Sequence, residues 1–280
     1  MNKFQSSLEG KKGIITGGTS GFGKELVRGL SIHGADITVF SVDDPEPELL
    51  EEMNESGRGT VRFMKQDIME TSAARTMVDS TVELFGGIDF VIANAGFAIR
   101  FEKPLLKTPV EEIAESLRTQ FEVFPIAFAS LALEAAKVMA PKFEAIEPDE
   151  NGHMPDSGSI VITLSEAAVC NLRDDLLAYA AAKKASQWIM ESLSGTLGPK
   201  NIRVNGIAPG FANNEGQKKF YNRYPTIRAD IEARNHLKPG FMHPGSVVPA
   251  VVYLLTDNYV TGQTITLDGG YSNNMVRYFQ

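Results

Sequence analysis

The chain has 280 residues, with 35 acidic against 27 basic side chains and a formal net charge of −8. That balance excludes a general nucleic-acid grip, and a single cysteine, Cys170, excludes a disulfide framework within the chain and a cysteine-based metal site. His33, His153, His236 and His243 show no metal-ligand spacing, no signal peptide is visible, and no uninterrupted apolar run is long enough to span a bilayer, so a soluble cytoplasmic protein is expected.

In chain order, short apolar runs alternate with helical patterns. KGIIT (12–16) reads as a strand that enters the turn TGGTSGFGKE. Gly17, Gly21 and Gly23 there permit a tight bend and let backbone N–H groups approach a diphosphate at the next helix N-terminus. The spacing is T-G-x-x-x-G-x-G. The nearby Walker A pattern fails at Glu25, which stands where the magnesium-binding hydroxyl belongs. A helix over 24–33 stops at Gly34. ADITVF is a second strand, followed by Ser41, Asp43 and Asp44. Asp43 lies about twenty residues past the last turn glycine, the distance of a carboxylate that binds the ribose 2′-hydroxyl of NAD; alternatively, Asp43 and Asp44 only begin the next helix. VRFMKQ and IDFVIANAG are the next strands.

Thr108-Pro109-Val110-Glu111 reads as a capping box with proline at the first helical position. The helix it opens runs toward Ala140 and is kinked at Pro125. Residues 140–158 are polar and turn-rich, a surface insertion. SIVITLS is a strand, and Asp174 or Asp175 caps the helix that carries LLAYAAAKKASQW and stops at Gly198-Pro199. Tyr179 and Lys183 share one face of it, with Cβ atoms roughly 5–6 Å apart. Ala180, Ala181 and Ala182 permit close packing, Trp188 belongs to core or interface, and Cys170 is an inert buried thiol. IRVNGIAPG is a strand and QTITLDGG the last one. Between them, residues 211–245 lack clean periodicity and suit a lid at the carboxyl edge of a sheet. Lys218, Lys219, Arg223, Arg228, Arg234 and Lys238 outnumber Glu215, Asp230 and Glu232 there, a balance that could steer an anionic substrate; Phe97, Phe101, Phe220, Tyr221 and Tyr224 could instead build an apolar or sugar-stacking pocket. This order predicts the α/β class, with one doubly wound, seven-stranded, mostly parallel sheet flanked by helices, and residues 1–280 forming a single domain.

Taken together, TGGTSGFG, QDI, ANAG, ITLS, YAAAK, IRVNGIAPG and TGQTITLDGG resemble the short-chain dehydrogenase/reductase family over nearly the whole length. The resemblance implies a Rossmann-type sheet and hydride transfer between a nicotinamide cofactor and a small-molecule alcohol or ketone. Its cofactor residues would be Gly17, Thr19, Ser20, Gly21, Phe22 and Gly23 in the turn, then Ser41, Asp43, Asp67 and Ile68, with Asp67 at the adenine, and farther along Asn94, Ala95, Gly96, Tyr179, Lys183, Pro209 and Gly210. Ser165 would hold the substrate oxygen and Tyr179 would exchange the proton. Lys183 would hold the nicotinamide ribose, and its ammonium would favour the phenolate. A homodimer or homotetramer is implied as well. Rival readings are a non-enzymatic dinucleotide sensor and an epimerase or dehydratase that recycles its cofactor.

The chain departs from the family's pattern at three places. Gln120 stands where the family places an asparagine whose backbone carbonyl holds a water of the proton relay. The Ser165-to-Tyr179 spacing is slightly long. PGFANN lacks the threonine after P-G, for which Asn213 or Asn214 could substitute. Ser41 takes the usual carboxylate position and Val42 the usual arginine position of the second strand. An acidic neighbourhood without a cation leans toward NAD, with NADP possible.

Overall fold

The structure is a computed structural model. It describes residues 7–56, 58–145, 147–148, 150, 152, 154–170 and 174–273. Seven parallel strands form one sheet in the order β3-β2-β1-β4-β5-β6-β7. They are β1 (Lys12–Thr16), β2 (Asp36–Ser41), β3 (Val61–Lys65), β4 (Phe90–Ala93), β5 (Gly158–Thr163), β6 (Ile202–Pro209) and β7 (Thr264–Leu267). Each overlaps one of the apolar runs read as strands. The chain leaves β3 at one edge and re-enters the sheet beside β1, so the carboxyl ends of β1 and β4 open a crevice at the switch point.

The central strands are continuously apolar because both faces are covered. Ile14, Val91, Ile160 and Ile162 point into one core with Met77, Leu131, Ala135 and Met190. Their strand neighbours Ile15, Ile92 and Val161 point into the other, against Leu26, Leu30, Val251 and Leu254. The first core belongs to helices α3 (Ala73–Phe85), α5 (Ala127–Met139) and α7 (Leu177–Leu197). The second belongs to α1 (Gly21–Ile32), α2 (Pro47–Ser56) and α10 (Val248–Thr256). The helical run Val110–Ala145 is long and apolar enough to cross a bilayer by length and composition. Phe128, Leu131, Ala132, Ala135 and Met139 are nevertheless packed in the first core, as in the core helix of a globular protein.

Several local expectations are corrected. Helix α4 (Val110–Phe121) begins after Pro109, not at it, and no side chain caps it. A 3-10 turn over Leu105–Lys107 brings carbonyls within reach, and the Thr108 hydroxyl donates to Lys103 and Pro104. Pro125 is absorbed in a π-helical segment, Glu122–Ile126, which joins α4 to α5. Proline has no N–H to offer, and the chain widens to an i→i+5 bond from Ala127 N to the Glu122 carbonyl. Helix α7 is preceded by a 3-10 turn (Asp174–Leu176) and has no side-chain cap. Asp175 pairs with Arg100 at 3.0 Å instead. Trp188 is 71% exposed, so it is not a core residue. Residues 211–245 form two helices, α8 (Glu215–Arg223) and α9 (Pro225–Arg234), anchored by a cluster of Phe211, Tyr221, Ile231 and Tyr271.

Candidate active site

The glycine turn is built by close contacts. Gly17 has φ +67°, and its N–H donates to the Phe40 carbonyl at 2.7 Å. A Cβ on Gly23 would lie 2.0 Å from the Gly17 carbonyl oxygen and 2.5 Å from Asn94 Nδ2, so only glycine lets α1 approach the turn. Asn94 closes the seam between strands. Its Nδ2 donates to the carbonyls of Thr16 (3.2 Å) and Gly17 (3.1 Å), and its Oδ1 accepts from Thr163 Oγ1 (3.2 Å). Ser20, in extended conformation before α1, makes no side-chain capping bond, and the first turn carries no acidic residue. Its first N–H groups therefore face the crevice as donors, which suits an anion.

A cleft of about 620 Å³ runs along the carboxyl ends of the strands. The residues expected at the cofactor and at the chemistry line it except Gly23, which sits under the turn, Gln120 and Asn213. At one end Thr19 Oγ1 and Ser41 Oγ are 3.0 Å apart beside the exposed Asp43. Asp67 accepts a bond from Met69 N at 2.9 Å, so its carboxylate shapes the turn that carries Ile68. Gln120 is fully buried; its Nε2 donates to the Phe97 carbonyl (3.0 Å) and its Oε1 accepts from Ile99 N (3.4 Å), so its side chain fixes the loop after Gly96. Asn214 caps α8, accepting from Gln217 N at 2.9 Å, while the Asn213 N–H donates to the Met242 carbonyl.

Ser165, Tyr179 and Lys183 meet at the other end. Ser165 follows β5 and caps the short helix α6 (Glu166–Val169), its Oγ accepting from Ala167 N at 3.2 Å. The same hydroxyl donates to Glu166 Oε2 at 2.6 Å. Lys183 Nζ donates to the Thr163 carbonyl at 2.7 Å and lies 3.8 Å over the Phe124 ring, which meets Tyr179 edge-on. Burial pushes the Lys183 amine down to about 7, with Glu166 pulling the other way. Burial also pushes the Tyr179 phenol above its usual value. Glu166 adds to that rise, while a hydrogen bond with Ser165 and the charge of Arg100 oppose it. Burial, the largest cause, works against the ionised phenol that the pairing with Lys183 was expected to favour. Burial, with Glu166, pushes Cys170 up to about 11, as expected of an inert thiol.

Glu166 and Arg100 also line the cleft and were missed, although Glu166 follows Ser165 directly in SEAAVC. Arg100 stacks 4.3 Å over Phe220 and joins the cleft to a second cavity of about 970 Å³ under α8 and α9, where Lys219, Arg223 and Arg234 stand. The positive excess of this segment is partly spent internally, since Arg228 pairs with Glu232 and Arg234 with Asp230.

The family model described as enoyl-(acyl carrier protein) reductase matches residues 17–272. Short-chain dehydrogenase reductase 3a of Arabidopsis thaliana is 30% identical over 270 residues, 95% of this chain and 96% of the relative. The 7α-hydroxysteroid dehydrogenase of Escherichia coli (strain K12) is 26% identical over 275 residues, 96% of this chain and 97% of the relative. Among solved structures, the NADPH-dependent 3-quinuclidinone reductase of Rhodotorula rubra superimposes with a TM-score of 0.80 at 22% identity, covering 97% of this chain and 95% of that one. The chain belongs to the short-chain dehydrogenase/reductase family of oxidoreductases.

Proposed function

We propose that the protein interconverts a secondary alcohol and a ketone of a small molecule, with Tyr179 as general acid and base and a nicotinamide dinucleotide as redox partner. The observation that carries this is convergence: Ser165, Tyr179 and Lys183 stand in the same cleft as the glycine turn and the uncapped N-terminus of α1. The dinucleotide, when bound, supplies or accepts the hydride. The backbone of 17–23 would hold its diphosphate, Asp67 and Ile68 its adenine, and Lys183 its nicotinamide ribose. Asn94–Gly96 and Pro209–Gly210 form the walls of that part of the cleft. Gln120 acts as a positioning residue through the 97–99 loop. Burial keeps the Tyr179 phenol protonated at neutral pH, the form that donates to a carbonyl oxygen. Alcohol oxidation needs the phenolate, so its rate is expected to climb with pH.

NAD is the proposed partner. Thr19, Ser41 and Asp43 line the end of the cleft that we assign to the adenosine ribose, and no lysine or arginine lines that end among the described residues. Initial rates with NAD and NADP test this, and Ser41→Arg is expected to shift preference toward NADP. The setting we propose is cytoplasmic, as a homodimer or homotetramer. The deciding experiment follows nicotinamide absorbance over a panel of secondary alcohols that includes cyclohexanol and a 7α-hydroxysteroid. Tyr179→Phe should lose roughly 10²–10⁴-fold in rate while still binding dinucleotide. Undiminished turnover in that variant sinks the assignment.

A further inference from the structure

We propose that Glu166 is a positioning residue: its carboxylate takes the hydrogen bond of the Ser165 hydroxyl and withholds that proton from a substrate carbonyl. The inference rests on the reading of Ser165 and Tyr179 given above. Ser165 has one hydroxyl hydrogen. With Glu166 Oε2 at 2.6 Å, an ionised carboxylate commits that hydrogen. Oγ already accepts from Ala167 N. While that pair holds, the serine has no proton left for a carbonyl oxygen. A ketone needs the pair broken.

The same carboxylate sets the charge of the site. Around it stand Tyr179 and Lys183 on α7, Cys170 at the end of α6, and Tyr271 after β7. Among the described residues, Arg234 on α9 lowers Cys170 and Tyr271, and Arg100, held by Asp175, lowers Tyr179. Glu166 raises Tyr179, Lys183, Cys170 and Tyr271 alike, as one negative charge in a poorly hydrated pocket must.

The test begins without any substrate. Lysine is carbon-13 labelled at Cε, and Lys183 is assigned by its loss in Lys183→Arg. Its titration midpoint, near 7 in the native protein, is expected to fall by at least about half a unit in Glu166→Gln. Glu166→Asp, which withdraws the carboxylate by one methylene, should move it the same way by less; this variant decides the matter if the glutamine variant does not fold. An unmoved midpoint in the folded variant overturns the proposal. In turnover of cyclohexanol, or of the 7α-hydroxysteroid if that is the better substrate, Glu166→Gln should switch on oxidation at lower pH. It should also switch off ketone reduction at lower pH and lower the ketone KM relative to the alcohol KM. A uniform loss with both limbs in place would leave Glu166 as packing alone. Full activity in Tyr179→Phe is a different result: it sinks the acid–base reading, whereas the Lys183 titration stands apart from turnover.

Discussion

Lys183 is an amine held 4% exposed between Phe124 and the Thr163 carbonyl, and that placement has a measurable cost. Its folded value is near 7 against an ordinary 10.5. Between those limits the unfolded chain binds a proton that the folded chain does not, so stability rises with pH through that window and levels off below it. From about pH 7 to 9, below the range where the raised Cys170 and Tyr179 reverse the slope, the native protein should gain stability as pH climbs. Lys183→Met should flatten that slope, as read by denaturant unfolding at three pH values. Gly23 offers a second residue-scale prediction. The added methyl of Gly23→Ala meets the Gly17 carbonyl at 2.0 Å, and neither backbone nor helix can yield without opening the turn. We expect destabilisation of roughly 1–3 kcal/mol and loss of dinucleotide binding, followed by quenching of intrinsic fluorescence. Wild-type affinity in that variant would show that the turn does not hold the diphosphate.

At the scale of elements, Arg203 shows how the sheet grips a helix. It projects from β6 into the second core and donates to the carbonyls of Leu254 (2.5 Å) and Leu255 (3.2 Å) at the end of α10, and to Asp156 (2.8 Å). Removing the guanidinium leaves two helix-end carbonyls and a part-buried carboxylate without it. Arg203→Met should therefore cost about 3 kcal/mol, a drop in Tm of roughly 6 °C in calorimetry. Nothing in IRVNGIAPG marks that arginine as buried, whereas the strand itself is plain. The strands were legible because burial on both faces writes runs such as SIVIT, where every position is apolar or small. The glycine turn and the Tyr179–Lys183 pair were legible because their chemistry depends on short spacings. Caps and loop bonds were not. Whether Thr108 accepts from its own helix or donates backward depends on the carbonyls that a 3-10 turn presents. Likewise, that Ser165 gives its proton to Glu166 depends on the rotamers of two adjacent side chains, which spacing does not encode.

For the whole molecule the open surface is informative. Phe121, Ile126, Leu133 and Trp188 are exposed along α4, the π segment, α5 and α7, the layer that covers the first core. A monomer with charge −8 leaves those rings and aliphatic groups in water, although they lie on packed helices that cannot rearrange to hide them. Pairing this layer with the same layer of a second copy is a self-complementary solution, and a stable pair needs roughly 800 Å² from each partner. Net charge opposes it, since two acidic copies repel, and that repulsion is screened within about 8 Å at physiological ionic strength. Apolar burial does not weaken with salt. We therefore expect light scattering coupled to size exclusion to give a dimer or tetramer at 0.15 M salt, with dissociation favoured on dilution into low salt. A Leu133→Glu, Trp188→Glu double variant should lower the mass toward a monomer while circular dichroism stays native. A monomeric mass for the native protein at every salt concentration would instead leave this layer solvent-facing and place the assembly, if any, on another face.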